Sequence, residues 1–292
     1  MSASALDARN PFLVLIWAFG LFTLMHGHQY IGALVASLGD RVSFDSIMSG
    51  KHETPRTLLI RGSFAMIVGL PLVWLCLTLL WKRPVAWMGL GPQWGRLLLG
   101  MGLGVGAPVL VVLSLWRMNL ARISFARTGW VPSQIASAVL GLLAVAVFAG
   151  VSEEIAFRGM MGLELSLTWG WPLAVVASGA VFGVVHLLGQ IKTLNAVKAG
   201  AVMVSSIAIS FLFISLYRFS GSLWLPIGFH IAWNCAHSLL LGLRMNGKEP
   251  LASYLKTTLD GSSWIAGGDA GMEASAPAIA VYCLIGLLFT VL

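Results

Sequence analysis

Residues 150–160 read GVSEEIAFRGM, two adjacent carboxylates and an arginine at the end of the apolar run LGLLAVAVFAG. An ionisable side chain within a membrane span costs at least about 2.5–3.5 kcal/mol on insertion scales, so each is a functional candidate by default. The i,i+4 spacing sets Glu154 and Arg158 on one helical face, where a charge-assisted pair forms, and turns Glu153 about 100° away. Two more polar islands follow. VFGVVHLLGQ stacks Phe182 and His186 at i,i+4, and LWLPIGFHIAWNCAH does the same for His230 and Asn234, with His237 a turn later. Taken singly, each has a plain structural reading: an interfacial ion pair, a histidine bonded across helices, a polar wall. Three islands in three helices are not readily independent accidents.

Together they supply what peptide-bond hydrolysis needs. A carboxylate shielded from bulk water can act as general base on water, and histidine or asparagine N–H groups can hold the developing oxyanion. Ser152 precedes Glu153, but no GxSxG elbow marks it as a nucleophile, so water is the attacker. His186, His230 and Glu153 could also form a His₂Glu zinc site with its fourth position open to water. Against zinc, HExxH is absent, Glu154 is tied to Arg158 and so is a poor substitute base, and the Asn234 amide suits oxyanion donation better than ligation. The expectation is a reaction without cofactor, zinc being the alternative.

Elements that hold such residues must be helices in a bilayer. Apolar residues make up 58% of the 292 and charged residues 10%, with a mean hydropathy of +0.88, where soluble domains carry about 25% charged residues. Eight segments approach or exceed spanning length, near 11–37, 57–81, 97–116, 133–152, 171–189, 197–217, 222–243 and 275–292. Unbroken apolar runs exclude the alternation of a barrel, which leaves an all-α polytopic transmembrane helical bundle of about eight helices. The loops 38–56, 82–96 and 117–132 read as connectors, and 244–274 as a Gly/Ser/Asp-rich loop. Residues 1–129 form N-terminal transmembrane helices, 130–243 a catalytic core, and 244–292 a loop with a last span, all within one membrane domain. Cys76, Cys235 and Cys283 fall in spans without metal-ligand spacing. The net charge of +7 lacks a long basic tract and is assigned to lipid headgroups, with no nucleic-acid partner.

The succession EExxxR (Glu153, Glu154, Arg158), FxxxH (Phe182, His186) and HxxxN (His230, Asn234) resembles the signature of the CPBP family, the CAAX-protease and bacteriocin-processing (Abi) group of intramembrane glutamic proteases. GSLWLPIGFHIAWN is similar to the surroundings of its last motif, and WMGLGPQWGRLLLG to a segment that often precedes its core. The likeness covers about residues 130–240. It implies that Glu153 activates a water, that His186 helps hold water or substrate, and that His230 and Asn234 stabilise the oxyanion. Glu154, Arg158 and Phe182 support them, and His237 lies outside the pattern. The implied substrate is a membrane-anchored protein or peptide: a prenylated CAAX-like tail, a leader peptide or a C-terminal sorting signal. The implied location is a bacterial inner membrane. Competing readings are a non-proteolytic scaffold or immunity protein and a proton-coupled transporter, the latter weakened by the lack of an internal repeat.

Overall fold

Helix starts are written plainly in this chain. Asn10, Thr54, Asn195 and Ser275 each accept a hydrogen bond from a backbone N–H of the first turn, and Pro11, Pro55 and Pro132 occupy the first helical position, where no N–H is needed. The protein is described by a computed structural model covering residues 10–48, 53–82, 84–126, 129, 131–191, 194–244 and 250–292. Its helices are α1 (Pro11–Met25), α2 (His28–Asp40), α3 (Phe44–Met48), α4 (Pro55–Phe64), α5 (Leu70–Leu75), α6 (Trp94–Arg117), α7 (Pro132–Glu153), α8 (Leu163–Leu188), α9 (Ala196–Ser220), α10 (Trp224–Cys235), α11 (Ser263–Ala266) and α12 (Ala276–Val291). Turns of π-helix extend α4 over Ala65–Gly69, α5 over Cys76–Trp81 and α10 over Ala236–Leu240.

The chain is an all-α polytopic bundle. Five helical stretches among the described residues are long and apolar enough to cross a membrane: Pro11–Asp40, Pro55–Leu79, Trp94–Arg117, Pro132–Leu188 and Ala196–Ser220. The fourth takes in two of the eight expected spans, broken at Gly170, whose φ of 72° and ψ of 167° are open to glycine. The expected spans 222–243 and 275–292 are the shorter α10 with its π turn, and α12. Ile16, Trp17, Leu98, Leu110 and Leu140 stand more than half exposed on the outer faces. Such a belt is a liability in water and the ordinary surface of a helix in lipid.

The structure corrects the sequence reading at three places. The helix of the first polar island does not end at residue 152. It runs through Glu153 into a π-helical segment, Glu154–Gly162, and on into α8, so the carboxylates lie in mid-helix. The loop 38–56 contains α3. The loops 117–132 and 244–274 are more than connectors: they supply β1 (Ala121–Phe125) and β2 (Leu255–Leu259), an antiparallel ladder running from Ala121 opposite Leu259 to Phe125 opposite Leu255. Arg122 Nη2 ties it to Asp260 Oδ2 at 2.7 Å. The ladder joins strands far apart in sequence, a pairing that no local pattern announces.

Glycines let the site helices approach backbone to backbone. A Cβ at Gly100 or Gly104 of α6 would overlap the carbonyl oxygens of Leu225 or Phe229 of α10, and one at Gly228 of α10 would overlap the Leu97 carbonyl. This small-residue seam is what packs helices in lipid, where apolar surface alone gives no drive to associate. Across the other side of α10, a Cβ on Gly150 of α7 would lie 2.5 Å from Ile231 Cγ1. Together α6 and α7 fix the height and rotation of α10. Gly228→Val is therefore expected to destabilise the protein by about 1–3 kcal/mol through overpacking. Its thermal midpoint in detergent should fall below that of Gly102→Val, a control whose Cβ meets nothing within 4 Å. Equal midpoints would show that the seam is not tight.

Candidate active site

The close α7–α10 approach brings the first and third islands into contact. Arg158 Nη1 donates to Glu154 Oε1 at 3.1 Å, the pair expected from the i,i+4 spacing, and it survives the widened π turn. His230 Nδ1 reaches the same Oε1 at 2.8 Å. Since a carboxylate only accepts, Nδ1 carries the proton and donates it. His230 Nε2 then points toward Glu153, 3.8 Å from its Oε2. Glu154 is thus held by two donors and is fully buried, while Glu153 stays partly open.

Arg158 is buried as well, and aromatic faces sheathe its guanidinium. Its Cζ lies 4.7 Å from the Phe182 ring centroid and 4.8 Å from that of Phe213. A desolvated cation over ring faces is attracted by their quadrupoles, which offsets part of the cost of burial. Phe182 thereby joins the second island to the first. One turn on, His186 Nδ1 donates to the Phe182 carbonyl at 2.9 Å, and its ring lies on the Phe182 ring with centroids 4.2 Å apart. With Nδ1 committed, Nε2 is the atom left for chemistry.

A cavity of about 290 Å³ opens in front of these groups, and Glu153, His186, His230 and Asn234 all line it. Glu154 and Arg158 stand behind the wall. Phe182, expected in a supporting role, lines the cavity as well. His237 is fully buried and lines the same cavity, with Nε2 3.3 Å from Glu273 Oε2, so it is a wall residue that faces a carboxylate from another element. Among the described residues no group of three or more His, Cys, Asp or Glu side chains converges closely enough to hold a metal ion.

Residues 135–236 match the model of a family described as type II CAAX prenyl endopeptidase Rce1-like. This segment of the chain is similar to that family. The Rce1-like core runs from the start of α7 to the end of α10 and holds all seven residues singled out in the sequence, from Glu153 to Asn234. Searches of curated proteins and of solved structures found no match. At the level of the family, the match supports a CAAX-type intramembrane protease that acts on membrane-associated substrates.

Sequence reasoning missed four residues around the Rce1-like site. Phe213 of α9 stacks on His230 at 5.6 Å and 20° besides covering Arg158, but an aromatic within FLFISLY gives no signal. Glu273 arrives from a loop far down the chain. Gln29 of α2 lines the cavity. His26, at the end of α1, did carry a signal: Phe22 and His26 repeat the FxxxH spacing of Phe182 and His186.

Proposed function

We propose that the protein is an endopeptidase that cleaves membrane-tethered protein or peptide substrates with a water activated by Glu153. The observation that carries this reading is the division of labour between adjacent carboxylates. Glu154 is neutralised by Arg158 and His230 behind the cavity wall, while Glu153 alone of the two lines the cavity. In the reaction, Glu153 takes a proton from water as the water oxygen bonds to the scissile carbonyl carbon. The C–N bond then breaks, and the proton passes to the leaving nitrogen. His230, its Nδ1–H held by Glu154, presents Nε2 to the cavity. When protonated there too, it donates to the oxyanion together with the Asn234 amide. His186 Nε2 orients the water or the substrate.

The substrate class follows from the family and from the setting: a tail held at the bilayer, such as a prenylated CAAX-like terminus, a leader peptide or a C-terminal sorting signal. The membrane is that of a bacterial cell interior, the cytoplasmic membrane. The reaction uses no metal. Mass spectrometry of peptide termini in membranes from cells with and without the protein should reveal new cleavage ends. In isolated membranes their formation should survive millimolar phenanthroline. If phenanthroline abolishes it, zinc restores it and a non-chelating isomer leaves it intact, the reaction needs metal and the glutamate mechanism is wrong.

A further inference from the structure

A second Phe–His pair stands beside the site. His26 Nδ1 donates to the Phe22 carbonyl at 2.9 Å and its ring lies 4.0 Å from the Phe22 ring, duplicating within a few tenths of an ångström the arrangement of His186 on Phe182. The two pairs meet on one residue. Phe157, in the π segment that carries Glu154 and Arg158, packs on Phe22 at 4.9 Å and on Phe182 at 5.0 Å. The His26 ring also meets Phe148 edge-on at 5.2 Å, and Phe148 lies on α7 a little over one turn before Glu153. From the same turn of chain, Gln29, whose N–H donates to the His26 carbonyl, lines the cavity beside Glu153 and His186. His26 is also within electrostatic range of both Glu153 and His186.

We propose that His26 is a positioning residue for Glu153, a counterpart of His186 contributed by a helix outside the Rce1-like core. This rests on the reading of Glu153 as the base. Phe22 fixes the His26 ring as it fixes which nitrogen is free. With Nδ1–H committed to the carbonyl, Nε2 alone is left to act on Glu153, through a shared water. The role, shared with His186, is to hold the carboxylate in line with the water and to steady the proton it takes up. α1 is then part of the machinery and not merely a lipid-facing brace.

Two measurements on the full-length protein test this. In nanodiscs with ¹⁵N-labelled histidine, and with the His26 signal assigned by its loss in His26→Gln, Glu153→Gln should displace the His26 and His186 resonances. Glu273→Gln should move His237 and leave those two in place. In membranes, His26→Phe, which fills the space between Phe22 and Phe148, should slow formation of Glu153-dependent termini by roughly 10-fold. His26→Gln should fall between the two rates and decides the matter if the phenylalanine variant inserts poorly. A His26 resonance indifferent to Glu153→Gln, or wild-type processing in both His26 variants, overturns the inference. If termini form but do not depend on Glu153, the base assignment itself fails, and the resonance arm still judges the contact.

Discussion

Glu153→Gln is expected to leave a folded, membrane-inserted protein whose processing falls by at least about 100-fold, the scale of general-base catalysis. Glutamine keeps the volume and hydrogen-bonding capacity of the side chain and removes its basicity. Glu153 faces the cavity, and its one charged contact, His230 Nε2, is a long 3.8 Å away, so the change should cost little stability. Losing a negative charge next to Glu154 relieves repulsion between neighbours, and the thermal midpoint should hold or rise. Counting new termini per hour in membranes of matched expression measures the effect. A variant that processes within a few-fold of wild type would remove Glu153 from the chemistry and return the site to a structural role.

Arg158→Ala should instead act through stability. Breaking a buried ion pair by removing one partner costs about 3–5 kcal/mol, because the remaining charge is left uncompensated. Here Glu154 would retain only His230, and the slot between Phe182 and Phe213 would be empty. His230 would follow, since Glu154 is what orients it, and activity should fall with the melting point in detergent. The double variant Arg158→Met with Glu154→Gln removes both charges and refills the slot. It should recover much of the lost melting temperature and little of the activity. Should Arg158→Ala melt with wild type, the guanidinium is not what compensates Glu154.

What the sequence disclosed depended on whether the signal was local. A span such as LGLLAVAVFAG is apolar in itself, and Glu154 and Arg158 meet because both sit on the same turn. The four cavity residues could be recognised because each island carries polar groups that lipid would otherwise reject. The continuation of α7 through Glu153 into a π segment was hidden, since a wider turn has no residue signature. The seam of Gly100 and Gly104 with Gly228 depends on two helices more than a hundred residues apart. His26 shows a different kind of loss: its spacing to Phe22 was present in the sequence, but a lone histidine acquires meaning only once Phe157 is seen to unite it with the second island.

The glycine seam also bears on how the site comes into being during synthesis. Helices leave the ribosome in order, so α6 enters the membrane long before α10 exists, carrying a groove along Gly100 and Gly104 with nothing to receive. By the time Glu154 and Arg158 emerge, the carboxylate has its arginine but not its histidine. Only when α10 arrives and seats against α6 does His230 reach Glu154 and does Asn234 take its place in the cavity wall. On the proposed mechanism, a nascent chain therefore lacks its oxyanion donors until its fourth quarter is made.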